Sequence, residues 1–346
     1  MPDHVLGLLI AAAAALSVTP VVKRLAVRVG AFDQPVPRSV HTRAVPHLGG
    51  LAIYIAFAAG ALATAGPANR DVRAILLGGL LVLALGALDD FRNLRPAWKL
   101  LGQIVAAGVV VSLGCQIRFF SHPVGDGLIF LGYWSVPVTI LWIVAVMNVV
   151  NLMDGLDGLA AGVASIVALT LLVVSLRHDQ PLTALFTAVL AGSALGFLPH
   201  NFNPAKIFMG DAGAMFLGFA LAVVAIGGPL KQATTIALAV PVIALGLPIV
   251  DTTCAIVRRV SNGRPFHQAD RGHLHHRLLR LGLSQRQAVV VLYGVSAWLG
   301  LNAIIVSEVP RRQGAGLLLL VIGLLLYAAI RVGALDESAD GREYGG

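Results

Sequence analysis

Residues 135–176 read SVPVTILWIVAVMNVVNLMDGLDGLAAGVASIVALTLLVVSL, two apolar runs (135–151 and 158–176) joined by a short hinge that carries two aspartates. Each run has the ~17–25 residues that a helix needs to cross a bilayer. Asp154 and Asp157 are three apart, so on a helical turn they project from one face. Gly155 and Gly158 beside them let a ligand approach the backbone closely. The Asx-Gly repeat also suits a simple turn or a calcium loop. An EF-hand needs a longer run of oxygen ligands closed by a Glu, and none follows. Carboxylates beside hydrocarbon cost about 2.5–3.5 kcal/mol each on insertion scales, so this pair reads as functional.

Outward from that hinge the same pattern recurs. Asp89–Asp90 end one apolar run and Asp211 opens another. The 346 residues are 57% hydrophobic and 12% charged, with mean hydropathy +0.84, whereas globular domains carry about 25% charged residues. The chain is therefore an all-α polytopic integral membrane protein, since helices satisfy their own backbone hydrogen bonds in lipid. Eleven apolar segments stand out, roughly 4–22, 48–66, 72–88, 98–115, 135–151, 158–176, 181–198, 212–228, 233–257, 288–307 and 315–332. Pro241 and Pro248 interrupt the ninth and predict a kinked or broken helix there. Residues 1–333 form a single transmembrane domain, and the polar, Gly-rich residues 334–346 are expected to be a disordered cytoplasmic tail. The loop 116–134 is expected to hold a strand pair or a short helix. The apolar stretch at the N-terminus has no basic region before it and no convincing small-residue cleavage site after it, so it reads as a first membrane helix. Cys115 and Cys254 lie in or beside apolar runs and read as small buried residues rather than a disulfide pair.

The net charge of +8 invites a nucleic-acid reading, but the basic residues fall in short loops between spans. With the N-terminus outside and the C-terminus cytoplasmic, 18 of the 25 Lys and Arg residues lie on the inner side, which is the positive-inside bias. The same orientation brings Asp89, Asp90, Asp154, Asp157, Asp211 and a histidine-rich loop to the cytoplasmic face. No acidic residue was used to set it, so this convergence is an independent check.

The inner loops carry the candidate chemistry. "VPHLGG" ends the first loop on Gly49–Gly50, and glycines at a helix start offer backbone N–H groups to a phosphate. "ALDDFRNLRPAWK" joins the adjacent aspartates to Arg92, Arg95 and Lys99; like charges side by side call for a cation or a proton. In "AKIFMGDAG", Asp211 could simply cap the helix that it opens. "DRGHLHHRLLRLGLS" places Arg271, His273, His275 and His276 together. Zinc is disfavoured there, because no cysteine accompanies the histidines and hard oxygen donors dominate elsewhere. Imidazole and guanidinium donors suit a pyrophosphate instead. Arg258 and Arg259 read as inner-side anchors.

With these loops in order, from about Asp33 to Gln287, the chain resembles the polyprenyl-phosphate N-acetylhexosamine-1-phosphate transferases, a family related to the phospho-MurNAc-pentapeptide transferases. Each motif alone is weakly specific, whereas four in sequence are highly specific. The His-x-His-His form is similar to the branch that uses UDP-GlcNAc, including bacterial UDP-GlcNAc:undecaprenyl-phosphate GlcNAc-1-phosphate transferases. Two positions depart from the pattern: Ala214 stands where Ser is usual, and Ser39 where Lys is usual.

The resemblance implies transfer of GlcNAc-1-phosphate from UDP-GlcNAc to a polyprenyl (undecaprenyl or decaprenyl) phosphate, with release of UMP. It implies Mg²⁺, or Mn²⁺ in its place, held by Asp211 and the Asn151 amide oxygen. Asp89 and Asp90 would face the lipid phosphate, and Asp154 and Asp157 the nucleotide. Asp157 would reach the uracil with Phe208 stacked on it, and His273, His275 and His276 would bind the sugar-linked phosphates. Lys99 and Arg271 complete the basic side. The bacterial cytoplasmic membrane, a start in cell-envelope glycan synthesis and a homodimer also come with the family. Nucleic acid is not among the expected partners. Another UDP-N-acetylhexosamine is an alternative donor. From other classes, a secondary transporter would place its acids near the midplane of repeated halves, and a lipid-phosphate hydrolase would have no need of a nucleotide loop.

Overall fold

In the computed structural model the described residues are 1–33, 44–121, 127–227, 239–261 and 272–331; Arg271 and the tail 334–346 lie outside them. Every one of the eleven apolar segments contains a helix. In order these are α1 (Asp3–Val29), α2 (Gly49–Ala65), α3 (Arg70–Arg92), α4 (Pro96–Ser112), α5 (Ser135–Met153), α6 (Leu159–Arg177), α7 (Pro181–Asn201), α8 (Gly210–Gly227), the pair α9 (Ala239–Ala244) and α10 (Gly246–Ser261), and, after the short α11 (Leu274–Arg280), α12 (Gln285–Glu308) and α13 (Arg311–Arg331). Eight of them are long and apolar enough to cross a membrane, and α2 and α4 are shorter apolar helices. The protein is a helical polytopic membrane protein.

The ninth segment breaks as its prolines require. Pro248 has no N–H to return to Ala244, and the chain leaves the helix at Leu245 between α9 and α10. Residues of the 116–134 loop form an antiparallel hairpin of β3 (Phe119–Ser121) and β4 (Leu128–Phe130), followed by a single 3₁₀ turn at Gly132–Trp134. Both anticipated elements occur. A second two-stranded pair, β1 (Phe32–Asp33) with β2 (Val45–Pro46), closes the first loop. Cys115 is half-buried and Cys254 is buried, and they are not joined.

Helices α6, α7 and α8 form the centre, with Phe186, Phe197, Phe216 and Phe219 inside it. At the periphery α13 leaves Leu319, Leu320 and Tyr327 exposed. Such a face would promote association in water and is the expected lipid-facing surface of a membrane helix.

Close backbone approach at α8 positions the site. A Cβ on Gly50 would collide with the Gly213 nitrogen, and one on Gly86 with the Ala212 Cα. Helices α2 and α3 therefore both press against the first turn of α8, through positions only glycine can fill. This overturns the phosphate reading of Gly49–Gly50. Their N–H groups donate to the Phe208 and Met209 carbonyls, each at 2.9 Å, so the pair joins the first loop to α8 rather than to a ligand.

Gly50→Val should wedge α2 from α8 and destabilise the protein by about 1–3 kcal/mol, the usual cost of overpacking. Gly108→Val, where nothing lies within 4 Å, should leave the melting temperature in detergent unchanged. Thermal unfolding of the two variants side by side checks the contrast.

Candidate active site

The aspartate pair at the end of α3 divides its work. Asp90 turns its carboxylate onto the start of α8, accepting from the Asp211 N–H at 2.7 Å and from the Ala212 N–H at 3.3 Å. Free N–H groups at a helix start attract an anion, and here a neighbouring helix supplies it. Asp211 is thus not the cap of its own helix, and its side chain is released for other partners. Asp89 is buried; one oxygen accepts from the Leu94 N–H at 2.7 Å and the other meets the Lys99 ammonium at 2.7 Å.

Lys99, in the first turn of α4, bridges to Asp211 Oδ2 at 2.5 Å. Asn151, near the end of α5, completes the cluster. In the amide orientation that satisfies both neighbours, its NH₂ donates to Asp211 Oδ1 at 3.1 Å and its oxygen accepts from Lys99 Nζ at 2.9 Å. Four side chains from α3, α4, α5 and α8, drawn from positions 89 to 211 of the chain, meet at one mouth of the bundle.

The 154–158 hinge joins this cluster. Burial, reinforced by the carboxylates of Asp211, Asp90 and Asp157, pushes the Asp154 carboxyl up to about 8, so near neutrality it holds a proton for much of the time. Asp157 accepts through Oδ2 from the Asn203 side chain at 3.0 Å and from the Ala205 N–H at 2.9 Å. It fixes the loop leading to Phe208, and Asn203 is held in turn by Gln285 at 2.6 Å. Phe208 bridges to His47 through the backbone, its N–H donating to the Pro46 carbonyl at 2.9 Å. That bridge brings the first and fourth inner loops together.

The histidines approach from the other side. His273 places Nδ1 2.9 Å from the Asp251 carboxylate, whose second oxygen accepts from the Leu274 N–H at 2.7 Å. The rings of His273 and His275 stack with centroids 5.7 Å apart, and His276 lies 4.2 Å beyond His275. His275 Nε2 lies against Gly155, where any Cβ would collide with it. Burial, and next the neighbouring His276, lowers the His275 pKa to about 3, so the ring is neutral at ordinary pH. The structure therefore brings together Asp89, Asp90, Lys99, Asn151, Asp154 and Asp211, adjoins Asp157 and Phe208 through their loop, and seats His275 on the hinge. Arg271 lies outside the described residues.

Two residues that sequence reading passed over matter here. Asp251 sits within an apolar segment, and only its charge in that setting could have signalled the grip on His273. Asn203 gave no signal, because an Asn in a polar loop is unremarkable. Arg258 and Arg259, read as inner-side anchors, are buried. A Cβ on Gly272 would strike the Arg258 guanidinium, so that arginine packs under the histidine segment.

A Bacillus subtilis protein, named as a "Probable undecaprenyl-phosphate N-acetylglucosaminyl 1-phosphate transferase", is 39% identical over 293 residues, covering 85% of this chain and 82% of its own length. The chain belongs to glycosyl transferase family 4. The profile of that family matches residues 72–228, which include Asp89, Lys99, Asn151 and Asp211. A decaprenyl-phosphate N-acetylglucosaminephosphotransferase of Mycolicibacterium smegmatis is 40% identical over 311 residues, covering 82% of this chain and 76% of that one. A phospho-N-acetylmuramoyl-pentapeptide-transferase of Bacillus cytotoxicus is 31% identical over 280 residues, covering 76% and 83%.

The state of His275 has a measurable consequence. Its folded pKa lies below the unfolded value of 6.5. The stability that its neutral ring contributes is therefore complete above that value and is lost as pH falls toward the folded pKa. Between about pH 7 and about pH 5 the wild-type melting temperature should fall more steeply than that of His275→Leu. Parallel slopes would show that the ring titrates normally.

Proposed function

We propose that this protein transfers GlcNAc-1-phosphate from UDP-GlcNAc to a polyprenyl phosphate, releasing UMP and leaving GlcNAc linked to the lipid through a pyrophosphate. The observation that carries the proposal is the meeting of Asp89, Lys99, Asn151 and Asp211 at one mouth of an apolar helix bundle. The chemistry joins two phosphates, and their mutual repulsion is the main barrier to be offset. The names and the extent of the similarity of the Bacillus subtilis and Mycolicibacterium smegmatis proteins support both the acceptor lipid and the sugar.

In this reading an oxygen of the lipid phosphate attacks the sugar-linked phosphorus, and the bond from that phosphorus to the oxygen of UMP breaks. The second pKa of a phosphate monoester is about 6, so the attacking group is already mostly dianionic and positioning matters more than proton removal. Lys99 offers positive charge where the phosphates converge, and Asp89 aims the ammonium. Asp90 acts on the reaction through Asp211, by fixing the first turn of α8. Asp157 and Phe208 line the nucleotide side, and His273, His275 and His276 face the sugar-linked phosphates, with Asp251 holding His273 in place.

The donor set fits Mg²⁺. Asp211 Oδ2 and the Asn151 amide oxygen are hard oxygen donors that both face the Lys99 ammonium, so a cation held by them would displace that ammonium. Mg²⁺ prefers one or two carboxylates, with phosphate and water oxygens for the rest. Among the described residues no three acidic, histidine or cysteine groups close on a single ion, which suits a cation held jointly with substrate. Bound there, Mg²⁺ would neutralise the developing charge on the phosphates.

With eleven spans and the N-terminus outside, 18 of the 25 basic residues lie on the inner side, and this bias supports a cytoplasmic mouth. The bacterial relatives support a place in the inner membrane. The acceptor's isoprenoid can then lie among the helices while its phosphate meets the nucleotide at the inner surface. Membranes given labelled UDP-GlcNAc and polyprenyl phosphate should form labelled lipid, and EDTA should suppress it. Asp211→Asn should lower turnover by about 100-fold or more while the protein stays folded in detergent. Full turnover in that variant would remove Asp211 from the reacting centre.

A further inference from the structure

We infer that Gln103 and Asn148 are positioning residues, an amide pair beneath the reacting cluster that sets Lys99, Asn151 and Asp211 at their working separations. The inference rests on the reading that those three residues form the reacting centre. Gln103 follows Lys99 by four residues on α4, Asn148 precedes Asn151 by three on α5, and Met215 follows Asp211 by four on α8. Spacings of three and four place each partner on the same helix face about one turn, or roughly 5.4 Å, deeper. The same three helices thus touch twice, once at the mouth and once in the layer below.

That lower layer is specific in its pairing. Gln103 is completely buried, and its Oε1 accepts from Asn148 Nδ2 at 2.8 Å. Gln103 Nε2 donates to Met215 Sδ at 3.2 Å and to Asn148 Oδ1 at 3.4 Å. Asn148 Nδ2 also donates to the Val144 carbonyl of its own helix at 2.8 Å. Two facing amides fit in a single register. Sliding α4 by one residue against α5 would rotate Gln103 by about 100°, leave that buried amide unpaired and leave Asn148 with only the Val144 carbonyl.

Hydrogen bonds between membrane helices contribute little to overall stability, because alternative partners exist before the helices dock. Their effect here is on register rather than on survival of the fold. Loss of the pair shifts Lys99 and Asn151 relative to Asp211, and small misplacements at a reacting centre are costly in rate. The hydrogen bonds of this layer run among Gln103, Asn148, Met215 and Val144. None reaches Asp157 or Phe208 on the nucleotide side, so the expected loss is in turnover rather than in affinity for UDP-GlcNAc.

The test compares the full-length protein in detergent with Gln103→Leu, Asn148→Leu, the double variant, and the exchange of Gln103→Asn with Asn148→Gln. Transfer from UDP-GlcNAc to polyprenyl phosphate is measured along with thermal unfolding. Each single variant should lose about tenfold or more in kcat, with KM for UDP-GlcNAc within about twofold. The melting temperature should barely move. The double variant should be no worse than the poorer single, and the exchange, which rebuilds an amide pair, should recover activity. Singles with wild-type kcat, losses that multiply in the double, or activity that falls only with the folded fraction would each overturn the inference. Should Gln103→Leu not fold, Gln103→Met keeps the length of the side chain and carries the same two outcomes. Wild-type protein inactive in transfer would refute the proposed function, and this inference with it, whereas an active wild type matched by its variants sinks the amide pair alone.

Discussion

The Lys99 ammonium, lodged between Asp89 and Asp211 with the Asn151 amide alongside, is the interaction on which the site depends. It joins α3, α4, α5 and α8 at a point where charge is expensive. Breaking a buried pair by removing one partner typically costs about 3–5 kcal/mol, because the other charge is left uncompensated. Here removal of the lysine would leave Asp89 and Asp211 facing one another with no cation between them. The cluster therefore holds the helix ends together and concentrates the charges that phosphate chemistry uses.

Around that pair the aspartates separate into distinct tasks. Asp90 is a cap that one helix lends to another, and it releases Asp211 from capping duty. Asp157 steadies the loop that carries Phe208, and Asp251 aims His273. Only Asp89, Asp154 and Asp211 remain directed at the cluster's interior. A row of acids that looks uniform in sequence is thus a mixture of scaffolding and reacting groups. Backbone contacts allowed by Gly50 and Gly86 decide where the reacting ones stand.

Much of this was legible in the chain. Apolar runs near the length of a bilayer marked the helices, and Pro248 marked the break before α10, because both follow from local backbone chemistry. The convergence of Asp89, Asp154 and Asp211 could be inferred once loops were assigned to one side. The division of labour could not be read, since the cap by Asp90 and the grip of Asp251 on His273 depend on contacts between distant segments. The reading of Gly49–Gly50 failed for the same reason. Glycines at a helix start suit either an anion or a close backbone neighbour, and tertiary packing against Phe208 and Met209 chose the neighbour.

The central claim is that residues from distant segments build one centre for a divalent cation at the mouth of the bundle. Its most direct test is Mn²⁺ binding to the purified protein in the presence of UDP-GlcNAc, followed by electron paramagnetic resonance in wild type and in Asp211→Asn. The account predicts a bound ion in the wild type that is lost in the variant, with the fold of both intact. Equal Mn²⁺ binding by the two proteins would contradict it.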